Sequence, residues 1–291
     1  MVITKLIGGL GNQLFQYALG RALSLSNDAP LKLDISGFES YKLRRYSLSD
    51  FNVVGEAATA GEVERFRRAG SNRLARLGSR LGVLPDSLRF TTVVERGFQF
   101  QPEVLRARGN VYLDGYWQSE KYFKQIEDII RTDFTLRSDP DPVGAKVSEA
   151  IAESNSVSIH VRRGDYATNP EINKIHGLCS PDYYRAAIDE LTKTVTAPHF
   201  FVFSDDPDWC RENLRTEHAV TFVSDNKSLK DYEELWLMSL CKHHIIANSS
   251  FSWWGAWLGR HPAKMVFAPK TWFRTRERET GDLIPDAWYM I

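Results

Sequence analysis

A chain of 291 residues sets 37 Lys plus Arg against 37 Asp plus Glu, so no overall field draws it to nucleic acid. That length suits one large domain or two modest ones, each able to bury a core. Three widely spaced cysteines (Cys179, Cys210, Cys241) give neither a disulfide framework nor zinc-ligand spacing, and no apolar run approaches the roughly 18 residues of a bilayer span. The expectation is a soluble protein of a reducing, cytoplasmic compartment.

In chain order, the first predicted element is a strand over residues 2–7, followed by a glycine turn. A helix comes next, in which Leu14, Phe15, Ala18, Leu19, Ala22 and Leu23 recur at helical spacing. "LKLDI" reads as a second strand and "NVYLDGYWQSEKYFKQIEDII" as a further strand–helix unit. Between them, residues 65–85 hold six arginines (65, 67, 68, 73, 76 and 80) and no acidic residue. Such a run is a solvated helix face by its usual meaning. The other expectation is contact of Arg65–Arg80 with an anionic partner such as a membrane surface, peripheral to the inner membrane. "DPDPVG" (139–144) reads as an interdomain linker. Beyond it, strands at "VSIHV", "HFFVFSDD", "AVTFVS", "HHIIANS" and "KMVFAP" alternate with helices at "SPDYYRAAIDELTKTV", "PDWCRENLR", "SLKDYEELWLMSL" and "SFSWWGAWLG". Alternation of this kind predicts parallel sheets flanked by helices. The chain is therefore read as α/β with two domains, 1–140 and 141–291, the C-terminal tail packing back on the first.

In open α/β sheets the ligand lies beyond the carboxyl ends of the strands. Three polar clusters here directly follow predicted strands: "HVRRGDY" (160–166), "FSDD" (203–206) and "NSSFSWWGAWLG" (248–259). A guanidinium is a planar fork of donors that keeps its charge, and Arg162 with Arg163 suits a diphosphate through paired, charge-assisted bonds. Either arginine alone reads equally as a structural ion pair, for instance Arg163 with Asp165. The triplet Arg163-Gly164-Asp165 also spells an adhesion motif, but it continues a buried-type strand instead of a protruding loop. Ser249, Ser250 and Ser252 open a predicted helix whose free N–H groups would favour an anion, whereas ordinary capping requires one hydroxyl. Asp205 is placed to accept N–H groups of a guanine ring, and Asp206 reads equally as a helix cap. Trp253, Trp254 and Trp257 read as core. At the N-terminus, "GGLGNQ" departs from the dinucleotide fingerprint because Leu14 stands where the third glycine belongs. It reads instead as a tight turn, or as a close approach to ligand with Asn12 and Gln13 as donors.

"GGLGNQLFQYALGRA", "GYWQSEKYF", "HVRRGDY", "FSDD" and "NSSFSWWGAWLG", in this order, resemble the motifs of the α-1,2-fucosyltransferases of glycosyltransferase family 11, over the span from the first strand to about residue 272. The resemblance implies a GT-B architecture, two Rossmann-like domains facing across a cleft. It further implies GDP-β-L-fucose as donor, held mainly by the second domain, and inverting transfer to the 2-hydroxyl of a galactose on an oligosaccharide or lipid-linked glycan held mainly by the first. It looks like a bacterial, cytoplasmic form, since animal relatives carry a membrane anchor. By the same resemblance Arg162 meets the donor phosphate, His160 and Asp205 lie near guanine, and Ser249, Ser250 and Ser252 hold phosphate oxygens.

The mechanism expected is direct displacement at the anomeric carbon, with Arg162, aided by Arg163, stabilising the charge that grows on the β-phosphate and no divalent metal required. The acceptor hydroxyl needs a base within reach. Asp165 is the first candidate, with Glu171 and His176 as alternatives, and Asp165 reads equally as a group that orients an arginine. Tyr116, Trp117 and Gln118 offer a ring face and a polar hook for the acceptor sugar, or else pack at a domain interface. Three other readings stay open: a transferase for another nucleotide sugar, a non-catalytic nucleotide- or sugar-binding protein and, more distantly, a nicotinamide oxidoreductase.

Overall fold

The computed structural model describes residues 1–39, 44–71, 89–275 and 280–291. The chain divides into two compact units, Met1–Thr135 with Glu279–Leu283, and Leu136–Arg278 with Ile284–Ile291.

The first unit is built on a parallel sheet of β1 (Val2–Lys5), β2 (Leu31–Asp34), β3 (Glu56–Ala57), β4 (Phe90–Val94) and β5 (Asn110–Asp114), in the order β3-β2-β1-β5-β4. β1 and β5 lie inside the sheet and are buried at consecutive positions, so neither shows the alternation of a half-exposed strand. β3 and β4 are edge strands, half-exposed or exposed along their length, and give correspondingly weak sequence signals. The helix Leu10–Ser26 buries Leu14, Phe15, Ala18, Leu19 and Leu23 of the predicted stripe. It passes close to the sheet at Gly20, where a Cβ would lie 3.0 Å from the Thr4 side chain. The strand order reverses between β1 and β5. There the start of the helix Leu10–Ser26, after the turn at Gly8 and Gly9, meets the loop 115–119, and Gln118 Nε2 donates to Asn12 Oδ1 at 2.8 Å.

The second unit carries β6 (Asn155–Val161), β7 (Pro198–Ser204), β8 (Ala219–Phe222), β9 (His243–Ile245), β10 (Val266–Ala268) and β11 (Tyr289–Met290), all parallel, in the order β11-β10-β9-β6-β7-β8. Counted from β6, this is the Rossmann order 3-2-1-4-5-6, with its switch point between β6 and β9. The core joins Val157, Ile159, Phe200, Val202, Ile245 and Phe267 of the sheet to Tyr184, Ala187 and Leu191 of the helix Pro181–Thr192. The expectation of an α/β chain with two parallel-sheet, Rossmann-like units is met.

The predicted linker differs in part. Asp141 Oδ1 accepts the Val143 N–H at 2.8 Å and caps the helix Pro142–Ala152, with proline in its first turn, so half of "DPDPVG" is a helix start. Glu233, buried in the helix Asp231–Leu240, ties that start down by accepting the Asp141 N–H at 2.7 Å. Of the arginine-rich segment, Arg65 and Arg68 lie on the helix Ala60–Ser71, Arg68 paired with Glu64 at 3.1 Å. Arg73, Arg76 and Arg80 lie outside the described residues. Near the C-terminus, Asp282 belongs to the first unit, where its carboxylate accepts the Phe100 N–H at 2.9 Å and pairs with Lys121. No helix among the described residues is long and apolar enough to cross a membrane.

Candidate functional site

β6 carries its apolar residues into the core and delivers "HVRRGDY" at the switch point of the second sheet. Arg162 is the centre of the cluster. One terminal nitrogen contacts Asp165 and the other lies 2.6 Å from Asp205 Oδ2. The other Asp205 oxygen accepts the Arg163 backbone N–H at 2.8 Å, so this carboxylate, at the end of β7, holds both arginines in register. Gly164 is required by the same contact, since a Cβ there would lie 2.5 Å from Asp205 Oδ2. Arg163 turns the other way. Its Nε donates to Asp206 at 2.9 Å and its guanidinium lies 4.3 Å from the Trp209 ring centroid. Asp206 also caps the helix Pro207–Asn213 through the Trp209 N–H at 3.2 Å. The pair Arg162–Asp165 is partly exposed, 22 % and 34 %, and a pair of that kind is weak enough for a competing anion to displace.

His160 lies beneath this cluster and beside Phe251, with ring centroids 5.6 Å apart. Burial first, and the Arg162 charge second, hold its imidazole down at a pKa of about 3, so the ring is neutral across the physiological range. Its Nδ1 is a buried nitrogen without a hydrogen-bond partner among the described residues, a cost that a ligand at this point would relieve.

The helix Ser250–Leu258 begins on the other side of the switch point. Ser249 is its cap and accepts the Phe251 N–H at 3.4 Å, and Ser250 is its first residue. Ser252 is buried, with its hydroxyl turned back to the Ala247 and Ser249 carbonyls, at 3.5 and 3.3 Å, just before the helix. Asn248, just before them, donates to the His176 and Trp272 carbonyls at 2.8 and 3.2 Å. This anchors the helices Gly164–Thr168 and Pro170–His176, where the His176 ring stacks on Tyr166 at 4.6 Å. Glu171 is exposed on the second of these helices. Asp165 contacts Arg162, and His176 reaches the cluster through Tyr166, whose ring lies 5.3 Å from the Arg162 guanidinium carbon.

In the first unit, Gln13 is fully occupied. Its amide donates to the Gly8 and Arg45 carbonyls at 3.0 and 2.8 Å and accepts the Ser47 N–H at 2.9 Å, so it builds the glycine turn and offers no donor to a ligand. Asn12 holds Gln118 instead. Trp117 is fully buried against Tyr122, ring centroids 5.7 Å apart, and presents no face to solvent; Tyr116, 36 % exposed, is the ring at the surface of this loop.

Two acidic residues escaped the sequence reading. Glu95 accepts the backbone N–H groups of Tyr116 and Trp117 at 2.7 and 2.8 Å, with burial raising its carboxyl. Trp117 sits at φ +58°, a left-handed conformation that costs a bulky residue about 1–3 kcal/mol and persists where surroundings enforce it. Glu234, on the helix Asp231–Leu240, is hydrogen-bonded to Ser224; burial, followed by the charges of Asp231 and Asp205, pushes it up to about 7. Ser224 in turn accepts the Ser204 N–H at 2.9 Å, and Ser204 Oγ accepts the Asp206 N–H at 2.9 Å, so a polar chain underlies "FSDD". The only sequence signal for Glu234 is an acid among apolar helix positions; Glu95 has no signal, because its partners are backbone.

Glu234 makes stability depend on pH. Between its unfolded value near 4.5 and about 7, the native chain binds the extra proton, so stability falls as pH rises through that window, by on the order of 3 kcal/mol. Denaturant unfolding of the wild type is expected to weaken from pH 5 to pH 8, and Glu234→Gln to flatten that slope. Equal slopes in both proteins would assign the dependence to other groups.

Among known proteins, the Glycosyl transferase family 11 pattern matches residues 96–290. An Escherichia coli alpha-1,2-colitosyltransferase is 36 % identical over 100 % of this chain and 99 % of its own length. The E. coli O-antigen biosynthesis glycosyltransferase WbnK is 32 % identical over 97 % and 98 %. Galactoside alpha-(1,2)-fucosyltransferase 1 of Leontocebus fuscicollis is 29 % identical over 50 % of this chain and 42 % of its own. A match of this extent, to the family pattern and to full-length enzymes, makes the chain a member of glycosyltransferase family 11.

Proposed function

We propose that the chain transfers a 6-deoxyhexose from its GDP ester to the 2-hydroxyl of a galactose in a glycan, with inversion, and that L-fucose is the sugar. The observation that carries this reading is Arg162 at the switch point of a Rossmann-ordered unit, held by Asp165 and Asp205 with its fork directed by two carboxylates. As the anomeric bond breaks, charge grows on the β-phosphate, and a preformed guanidinium there lowers the barrier without a divalent metal. Ser249, Ser250 and the N-terminus of the helix Ser250–Leu258 supply further donors to the diphosphate. His160 and Asp205 serve the guanine end, the unpartnered His160 nitrogen supporting that role. Displacement of Asp165 from Arg162 by phosphate frees its carboxylate to take the acceptor proton; Glu171 and His176 are the alternatives. The donor rests on the second unit and the acceptor on the first, as in GT-B enzymes, and the reaction belongs to the cytoplasmic side of glycan assembly.

A second reading has its own support. The 36 % identity to a colitosyltransferase favours colitose, the 3-deoxy analogue of fucose, as the sugar moved. GDP release from GDP-fucose and from GDP-colitose, with lactose and with EDTA present, separates the two. Lactose-dependent release from GDP-fucose at the higher kcat/KM supports the first reading, and the reverse order supports the second. Melting raised by UDP but not by GDP would overturn both.

A further inference from the structure

The loop after β5 is built to expose one aromatic ring. Gly115 has no room for a side chain, since a Cβ would lie 2.4 Å from Glu95 Cβ and 2.8 Å from the Trp117 ring. Glu95 then fixes the next two residues by taking both backbone N–H groups, and Trp117 is held left-handed with its ring inward. The result is that Tyr116 points outward beside Phe98, the two rings within 11° of parallel and 6.5 Å between centroids. Two residues on, the Gln118 amide is more than nine-tenths buried, its nitrogen on Asn12 and its Oε1 without a hydrogen-bond partner among the described residues. Parallel rings with a waiting amide acceptor, at the carboxyl end of a parallel sheet, have the chemistry of a pyranose subsite: C–H bonds of one sugar face lie on the rings, and a hydroxyl donates to the amide.

Resting on the transferase reading above, we propose that Phe98 and Tyr116 form the platform on which the acceptor galactoside stacks, with Glu95 as the positioning residue that holds Tyr116 outward. Phe98 lies outside every sequence motif, and Glu95 touches no sugar; it acts through the backbone it fixes.

Two readouts test this. The first is saturation-transfer NMR from the protein's aromatic protons to lactose, which needs no turnover. The second is the acceptor KM in the GDP-release assay. Phe98→Ala and Tyr116→Ala are expected to lose most of the transfer to the galactose C–H protons and to raise the lactose KM about tenfold, with the GDP-sugar KM within twofold of wild type. Tyr116→Phe is expected to keep both signals. Glu95→Ala should raise the lactose KM while the donor KM holds, and Glu95→Gln, which keeps one acceptor oxygen, should recover part of the loss. Retained aromatic saturation and an unchanged lactose KM in the ring-deleting variants would sink the platform while leaving the transferase reading intact. Wild type that binds lactose through its aromatic protons, but releases no GDP from either donor, would sink the transferase reading and leave the platform. Absence of lactose binding by the wild type, or a fall in kcat with both KM values raised together, would also count against the platform.

Discussion

Replacing Arg162 with alanine is expected to lower lactose-dependent GDP release by about 10²–10³-fold in kcat, on the order of 3–4 kcal/mol of transition-state stabilisation. The protein should stay folded. Arg162 is partly exposed, and Asp205 keeps the Arg163 backbone N–H after the change, so no carboxylate is left buried and bare. Arg162→Lys should recover little of the activity. One ammonium cannot keep its contact with Asp205 and also present a planar fork to phosphate oxygens. The matched variant Arg163→Ala is expected to lose less, because its guanidinium is committed to Asp206 and Trp209. Initial rates at saturating donor, with melting temperatures alongside, check all three. Arg162→Ala within threefold of wild type would remove this residue from the phosphate site.

The largest effect on stability is expected at Trp253. Its ring is fully buried, 5.1 Å from Trp254, 6.2 Å from Trp257 at 10° between planes, and 5.4 Å from Trp288. Trp253→Ala removes the central ring of this stack and leaves a cavity that three flat neighbours cannot close, a loss of about 3–5 kcal/mol. For a unit of this size that corresponds to a fall in Tm of roughly 10 °C. Because Trp253 lies on the helix Ser250–Leu258, which Ser249 caps and Ser250 opens, GDP affinity should fall with it. Trp253→Phe keeps a ring in place and should lose less of both. A change in Tm under about 2 °C for the alanine variant would show that the neighbouring rings repack.

Much of this architecture was legible in the residues, for reasons that differ between elements. β6 and β7 are buried along most of their length and are followed at once by charge, and a buried parallel strand must deliver its polar groups at its end, so "HVRRGDY" and "FSDD" announced both the strands and the polar clusters that follow them. The helix at Ser250–Leu258 was readable from its serine start and its tryptophans. Strand order was not readable, because pairing β6 with β9 joins residues some 86 positions apart, as Ser158 and His244 do. Nor was the division of labour inside the cluster. The sequence sets Arg162 beside Arg163, and only the fold turns one toward Asp205 and the other onto Trp209. Asp205 illustrates the same limit: the residues alone do not show that one of its oxygens meets the Arg162 guanidinium and the other the Arg163 backbone N–H. Glu95 was invisible because its partners are main-chain N–H groups, which leave no trace in the residue pattern.

The return of residues 279–283 to the first unit bears on how this enzyme could be recombined with relatives. A chimera cut once, at 135/136, would separate Asp282 from the Phe100 N–H and the Lys121 ammonium with which it belongs. The transplanted half would then present a foreign residue to both partners, and the loop carrying Phe100 would lose one of its ties. Exchange of the whole first unit between family members therefore needs two grafts, the N-terminal 135 residues and the short C-terminal strap. Single-crossover chimeras whose donor parent lacks an acid opposite those two groups should melt lower than those that keep one.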